Sequence, residues 1–228
     1  MATSYSPKII TDGLVLCLDA GDGKSYSGSG TTWTDRLSQN NGTLYNGPTF
    51  DSTNGGVLLF DGVNDYFEVN TNLGITGNSP RTFECWAYIE NNASKNIMGG
   101  GTPSSGTMFD TMTWYDDGYL RAVGHYFGGG FDTISNLPSR NTLNINQWNQ
   151  IINLYDGSSV SIYTNGEFSN SRSLALNSGD GKVRFARGYY SAYDYFEGKA
   201  SSIRVYNRAL TSTEVLQNYN ATKGRFGL

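Results

Sequence analysis

Breaking a glycosidic bond takes two carboxyl groups about 5–9 Å apart, flanking the sugar. On one β-strand such a pair has to alternate, because residues i and i+2 share a face. Glu84 lies in the best-patterned strand of this sequence, Thr82 to Ile89, but Trp86 and Tyr88 follow it at the same parity and no Glu-x-Asp-x-Glu run occurs. The single histidine, His125, stands in Val123-Gly124-His125-Tyr126 without a serine or cysteine elbow beside it. A triad or zinc site needs more members than that. The expectation is a protein that is not an enzyme, with His125 a structural or surface residue.

Two loops could offer oxygens to calcium: Asp61, Asn64 and Asp65 in one, Asp116 and Asp117 in the other. Calcium takes six to eight such oxygens. The same residues suit turns, where Asp and Asn cap their own backbone and Gly62 and Gly118 supply positive φ, and that reading is favoured. No metal is therefore assigned, with calcium the one cofactor these loops could hold. Asp19-Ala20-Gly21-Asp22-Gly23 starts like an EF-hand loop but lacks its twelfth-place glutamate. Aromatics beside Asp or Asn can stack on a pyranose and read its hydroxyls, which makes Trp114, Tyr115 and Asp116 candidate glycan contacts. Tyr189, Tyr190, Tyr193, Tyr195 and Phe196 crowd one loop. Tyrosine is enriched at protein interfaces, so these residues are read first as a subunit contact. Gly99-Gly100-Gly101 and Gly128-Gly129-Gly130 are not phosphate loops, since no Lys-Ser/Thr and no helix follow.

The elements that hold these residues are strands. Ile151 to Tyr155 and Val160 to Thr164 alternate, with Asp156-Gly157 and Asn165-Gly166 as stops. Asn-Gly after an alternating run signals a hairpin through a type I′ turn. Further strands are expected at Gly13–Asp19, Thr43–Tyr45, Val57–Phe60, Tyr66–Val69, Thr82–Ile89, Thr107–Tyr115, Tyr119–Val123, Lys182–Gly188 and Ala200–Tyr206. About a dozen turn-separated strands point to a sandwich. Trp86, Trp148, Phe60, Leu154, Ile162, Ile203 and Val205 are expected in its core. One helix should start at Thr211-Ser212-Thr213-Glu214, a capping box.

The 228 residues carry 29 Gly, 16 Tyr and 11 Phe, only 16% charged residues and a net charge of −4. The acidic balance excludes a phosphate-binding surface and hence nucleic acid. No 18-residue apolar run offers a membrane span, and Met1–Lys8 lacks the features of a signal peptide. Cys17 and Cys85 fall inside apolar strand patterns and are expected as unpaired core thiols. Residues 1–10 read as an arm, 11–222 as one domain, and 223–228 as a tail.

Several pieces in order carry a resemblance: Phe60-Asp61-Gly62-Val63-Asn64-Asp65-Tyr66, Thr82-Phe83-Glu84-Cys85-Trp86-Ala87, Trp148 with Tyr155-Asp156-Gly157 and Tyr163-Thr164-Asn165-Gly166, and Val205-Tyr206-Asn207-Arg208-Ala209-Leu210. Together they resemble laminin G-like, concanavalin A-like jelly rolls. The resemblance implies an all-β, two-sheet antiparallel sandwich with one short C-terminal helix, used more often for binding than for catalysis. Ser201 and Ser202 stand where that family usually has an acidic pair, which puts any ligand role of the pair in doubt here. Residues 11–35 and 217–226 are similar to a variant found in tailed-phage virion proteins. That narrower resemblance implies a non-enzymatic virion protein, a capsid decoration (cement) or tail-associated one, made in the host cytoplasm. It would adhere to other virion proteins and form a homo-oligomer. Phe226 and Leu228 on the tail, and the tyrosine loop, would then meet neighbouring subunits. The alternative is a carbohydrate-binding adhesin for host-surface glycans.

Overall fold

A computed structural model describes residues 7–102, 108–116, 119–125, 142–188 and 195–228. In chain order the strands are β1 (Leu14–Asp19), β2 (Thr32–Trp33), β3 (Gly42–Tyr45), β4 (Thr49–Asp51) and β5 (Val57–Asp61). Next come β6 (Tyr66–Val69), β7 (Arg81–Ile89), β8 (Lys95–Gly101), β9 (Met108–Asp116) and β10 (Tyr119–His125). β11 (Trp148–Tyr155), β12 (Ser159–Thr164), β13 (Glu167–Ser173), β14 (Arg184–Phe185) and β15 (Glu197–Tyr206) complete the set, before helix α1 (Ser212–Thr222). They form two antiparallel sheets. The eight-stranded sheet runs β13-β12-β11-β7-β15-β5-β4, with β1 paired to the second half of β15, and the seven-stranded sheet runs β10-β9-β8-β14-β6-β3-β2. The expected sandwich is the one observed.

Local chemistry sets the joints. Asn165 (φ 53°) and Gly166 (φ 80°) both take positive φ between β12 and β13, as a type I′ turn requires. Asp156 accepts the amides of Ser158 (2.8 Å) and Ser159 (2.7 Å) through Oδ1, closing the β11–β12 turn. Thr211 Oγ1 accepts the Glu214 amide (3.3 Å), and Glu214 Oε2 accepts the Thr211 amide (2.8 Å). The capping box thus starts α1 as expected.

Several strands differ from the sequence reading: β2, β4, β8 and β13 were not among those expected. Lys182–Gly188 shrinks to Arg184–Phe185 because Ala186 turns the chain at φ 65°. The glycines 99–101, to which the sequence reading gave no strand, belong to β8 near the centre of its sheet. Glycine weakens strands in general, but here it makes room. The Asp110 carboxylate occupies the place of a Gly99 side chain, and a Cβ on Gly100 would come within 3.2 Å of the Phe83 ring.

The core between the sheets contains Phe60, Phe67, Phe83, Cys85, Phe109, Ile162, Phe185, Ile203 and Val205. Trp86, Trp148 and Leu154 are buried as expected, but not there. They point to the outer face of the eight-stranded sheet, beneath the C-terminal segment. The parity of β7 demands this: Phe83, Cys85 and Ala87 face inward, so Glu84, Trp86 and Tyr88 face outward. Covering that outer face corrects the picture of arm and tail. Phe226 packs on Trp86 (ring centroids 4.3 Å) and Trp148 (4.6 Å) of its own chain. Gln217 donates to the Lys8 carbonyl (2.8 Å), and the Ile10 amide donates to Asn218 (2.8 Å). Two exposed indoles on a sheet would cost more than the ordering of a short tail, so the tail folds back.

Ile203→Ala should lower the unfolding free energy by about 2–5 kcal/mol in urea titration, with an unchanged m-value. Cys17 and Cys85 are buried and free, and burial pushes both thiols up. Alkylation followed by mass spectrometry should show two modified thiols after denaturation without reductant, and neither in the folded protein.

Candidate functional site

The outer face of the seven-stranded sheet carries no helix among the described residues. Strand register lays one polar row straight across it: Thr43, Glu68, Arg184, Gly99 and Asp110 are successive cross-strand partners. Toward β3 the face is half-exposed and aromatic. Tyr45 and Tyr66 are cross-strand partners whose rings stack at 4.5 Å and 7°. The Arg187 guanidinium lies 4.6 Å from the centre of the Tyr66 ring, a cation–π distance. Burial raises the Tyr66 hydroxyl while Arg187 opposes the rise. Beside the stack, Lys182 Nζ pairs with Glu68 at 3.1 Å. Planar groups rimmed by a carboxylate, an ammonium and hydroxyls form a surface able to receive a polar ring.

Toward β9 the row closes over. Asp110 is 2% exposed, and neither carboxylate oxygen has a hydrogen-bond partner among the described residues. Burial pushes its carboxyl up to about 7, against the pull of Arg184. Glu68 and Asp110 lie three strands apart, which at about 4.8 Å per strand is about 14 Å.

A family profile described as "Concanavalin A-like lectin/glucanases superfamily", of the laminin G type, matches residues 61–216. The chain belongs to this superfamily. No curated protein sequence matches it. Among solved structures it is similar to domain 4 of AbnA, a GH43 extracellular arabinanase from Geobacillus stearothermophilus, in complex with arabinotriose. The two share 13% identity at a TM-score of 0.70, over 90% of this chain and 98% of that domain. Trypanosoma rangeli sialidase is similar at 15% identity and a TM-score of 0.68, over 97% of this chain but 36% of that one. A native heptameric SAP-like pentraxin from Limulus polyphemus follows at 15% identity and a TM-score of 0.59, over 70% and 79%. Identities this low speak for the fold.

Within this laminin G-like sandwich the expected site residues scatter. Tyr189, Tyr190, Tyr193 and Asp117 lie outside the described residues. Tyr195 is half-buried and bridges to Arg187. Phe196 is not an interface residue: it is 1% exposed and packs edge-on against Phe185 in the main core. Phe226 is occupied by the two tryptophans, while Leu228 stays exposed. Trp114, Tyr115 and Asp116 lie on β9, and the side chains of Trp114 and Asp116 lie outside the described ones. Tyr115 itself is exposed, and its amide donates to Ser94 Oγ (3.1 Å).

Asp61, Asn64 and Asp65 are arranged as a turn. Asp61 Oδ1 accepts the amides of Val63 (2.8 Å), Asn64 (3.1 Å) and Asp65 (3.3 Å), and Asp65 Oδ2 accepts the Asp61 amide (3.2 Å). These bonds hold the Asp61 carboxyl below its ordinary value, while burial raises Asp65.

The row through Glu68, Arg184 and Asp110 escaped the sequence reading. Alternation in Tyr66-Phe67-Glu68-Val69 does mark Tyr66 and Glu68 as outward. Nothing local says that residues 110 and 184 share their row.

The extra proton on folded Asp110 sets a sign. Its folded value near 7 exceeds the ordinary 3.8, so between these pH values the folded state binds more protons. Asp110 therefore contributes most at low pH, and that stability is lost as pH rises toward 7. Asp110→Asn should be more stable than the parent at pH 7, and the gap should close toward pH 4 in paired thermal melts.

Proposed function

We propose that this domain is a non-catalytic recognition module that binds glycans on the outer face of its seven-stranded sheet. The observation that carries the reading is the half-exposed stack of Tyr45, Tyr66 and Arg187 beside Glu68 and Lys182. Aromatic faces suit the apolar face of a sugar ring, and flanking charged groups suit its hydroxyls. Absence of catalysis is favoured by the spacing of Glu68 and Asp110, about 14 Å by strand count, against the roughly 5–9.5 Å of glycosidase pairs. Arabinotriose on a similar domain is consistent with sugar binding on this fold.

A second reading is a decoration or tail-associated virion protein that adheres to other virion proteins as a homo-oligomer. It is favoured by the likeness of residues 11–35 and 217–226 to a phage variant of the fold. The arm-and-tail route to such contacts is weakened by the packing of Phe226 and Ile10 within the chain. Rigid loops and the exposed sheet face would carry the adhesion instead.

A glycan array with the isolated protein tests the first reading. Binding should appear, and Tyr66→Ala should weaken it about tenfold or more, the scale of one lost stacking contact. A blank array, together with co-sedimentation of the protein with purified virions, would favour the second reading.

A further inference from the structure

A cavity of about 440 Å³ lies on the opposite face of the sandwich, between the eight-stranded sheet and the C-terminal segment. Its floor is a cross-strand row in which Ser202 stands between Asp19 and Trp86. Arg204 shares their face two residues further along β15. The last turn of α1 and the 3₁₀ turn Lys223–Phe226 form the roof. The hole has a sequence cause. The serine is short, whereas Phe226, stacked on Trp86, holds the roof one ring-thickness above the sheet.

The charges around the cavity are unevenly served. Arg225 is fully engaged: Nε donates to the Asn54 carbonyl (2.5 Å), Nη1 to Asp19 Oδ1 (2.6 Å) and Nη2 to the Gly56 carbonyl (2.5 Å). Asp19 also accepts the Gly21 amide (2.9 Å), so its charge is answered. Arg204 is different. It is 4% exposed and gives Nη1 to Glu84 Oε1 (2.8 Å), but its buried Nε–H meets no acceptor among the described residues. A buried donor without an acceptor is costly, more so on a charged group. The guanidinium fork matches the planar, two-oxygen geometry of a carboxylate. The cavity volume falls in the lower part of the range for small-molecule sites, about 300–1,000 Å³.

We propose that this cavity binds the carboxylate of a small molecule of sugar-acid size, which accepts hydrogen bonds from Arg204 Nε–H and the Ser202 hydroxyl. The body of the ligand rests against the rim of Trp86 and Phe226. This site faces away from the glycan surface, so it stands or falls independently of that reading.

The test is a ¹H–¹⁵N NMR titration of the full chain, watching the Arg204 Nε–H and Trp86 indole signals. Three probes are used: D-glucuronate, acetate and D-glucose. Glucuronate should shift both signals, acetate should shift the Arg204 signal more weakly, and glucose should shift neither. Ser202→Glu supplies a carboxylate from within the chain. It should raise the melting temperature and weaken glucuronate binding about tenfold or more. Ser202→Leu fills the space without charge and should also abolish binding, which keeps the test intact if the glutamate variant fails to fold. The proposal is overturned if neither acid shifts the Arg204 signal. Equal response to glucose overturns the carboxylate assignment, and unchanged affinity in the Ser202 variants overturns the location.

Discussion

The architecture depends on one buried carboxylate. Glu84 is fully buried on the outer face of the eight-stranded sheet, where an unanswered charge would be prohibitive. It accepts from Arg204 on β15 (2.8 Å), Gln150 on β11 (3.0 Å) and Asn218 on α1 (2.7 Å). Strands β11, β7 and β15 are adjacent, so one side chain ties three of them to the helix above. Asn218 then fixes the neighbours of the helix: its Nδ2 donates to the Tyr206 hydroxyl (3.0 Å), and its Oδ1 accepts the Ile10 amide (2.8 Å). Ion pairs of this kind add little net stability compared with apolar packing, but losing one partner leaves a bare buried charge. Their effect is to specify one position for α1. Once α1 is placed, Trp86 Nε1 donates to Thr222 (2.9 Å), and Phe226 falls over both tryptophans.

The other sheet solves the opposite problem. Its outer face lacks such a helix among the described residues, and its polar row runs from Glu68 through Arg184 and across Gly99 to Asp110. Gly99 is what lets Asp110 lie flat across β8. The two outer faces therefore differ in kind: one is sealed by the chain's own helix, and the other presents side chains that secondary structure has not used.

The fold was legible in the sequence because its signals were local and mutually consistent. Asn165-Gly166, the capping box at Thr211 and the alternation of Thr82–Ile89 each name a conformation without reference to the rest of the chain. Capping and turn chemistry involve neighbours two or three residues apart, which a sequence shows directly. The candidate site was much less legible. Glu68, Asp110 and Arg184 become neighbours only through the order β9-β8-β14-β6, which crosses the chain several times. β8 was hidden for a related reason: glycine is read locally as a loop former, whereas Gly99 and Gly100 answer to Asp110 and Phe83. Trp86 and Trp148 were rightly expected to be buried but assigned to the wrong layer. Glu84 and Gln150 share the parity of the two tryptophans and mark the outer face as polar, but both strands are buried on both faces because α1 covers that side too.

The side-by-side run of Lys8–Ile10 and Gln217–Asn218 has a further consequence. Both ends of the described chain lie on the broad face sealed by α1, while the Tyr45–Tyr66–Arg187 surface lies on the opposite one. A carrier joined to either end would grip the sandwich as a handle is gripped. The aromatic surface would then point away from the carrier, whichever end made the join.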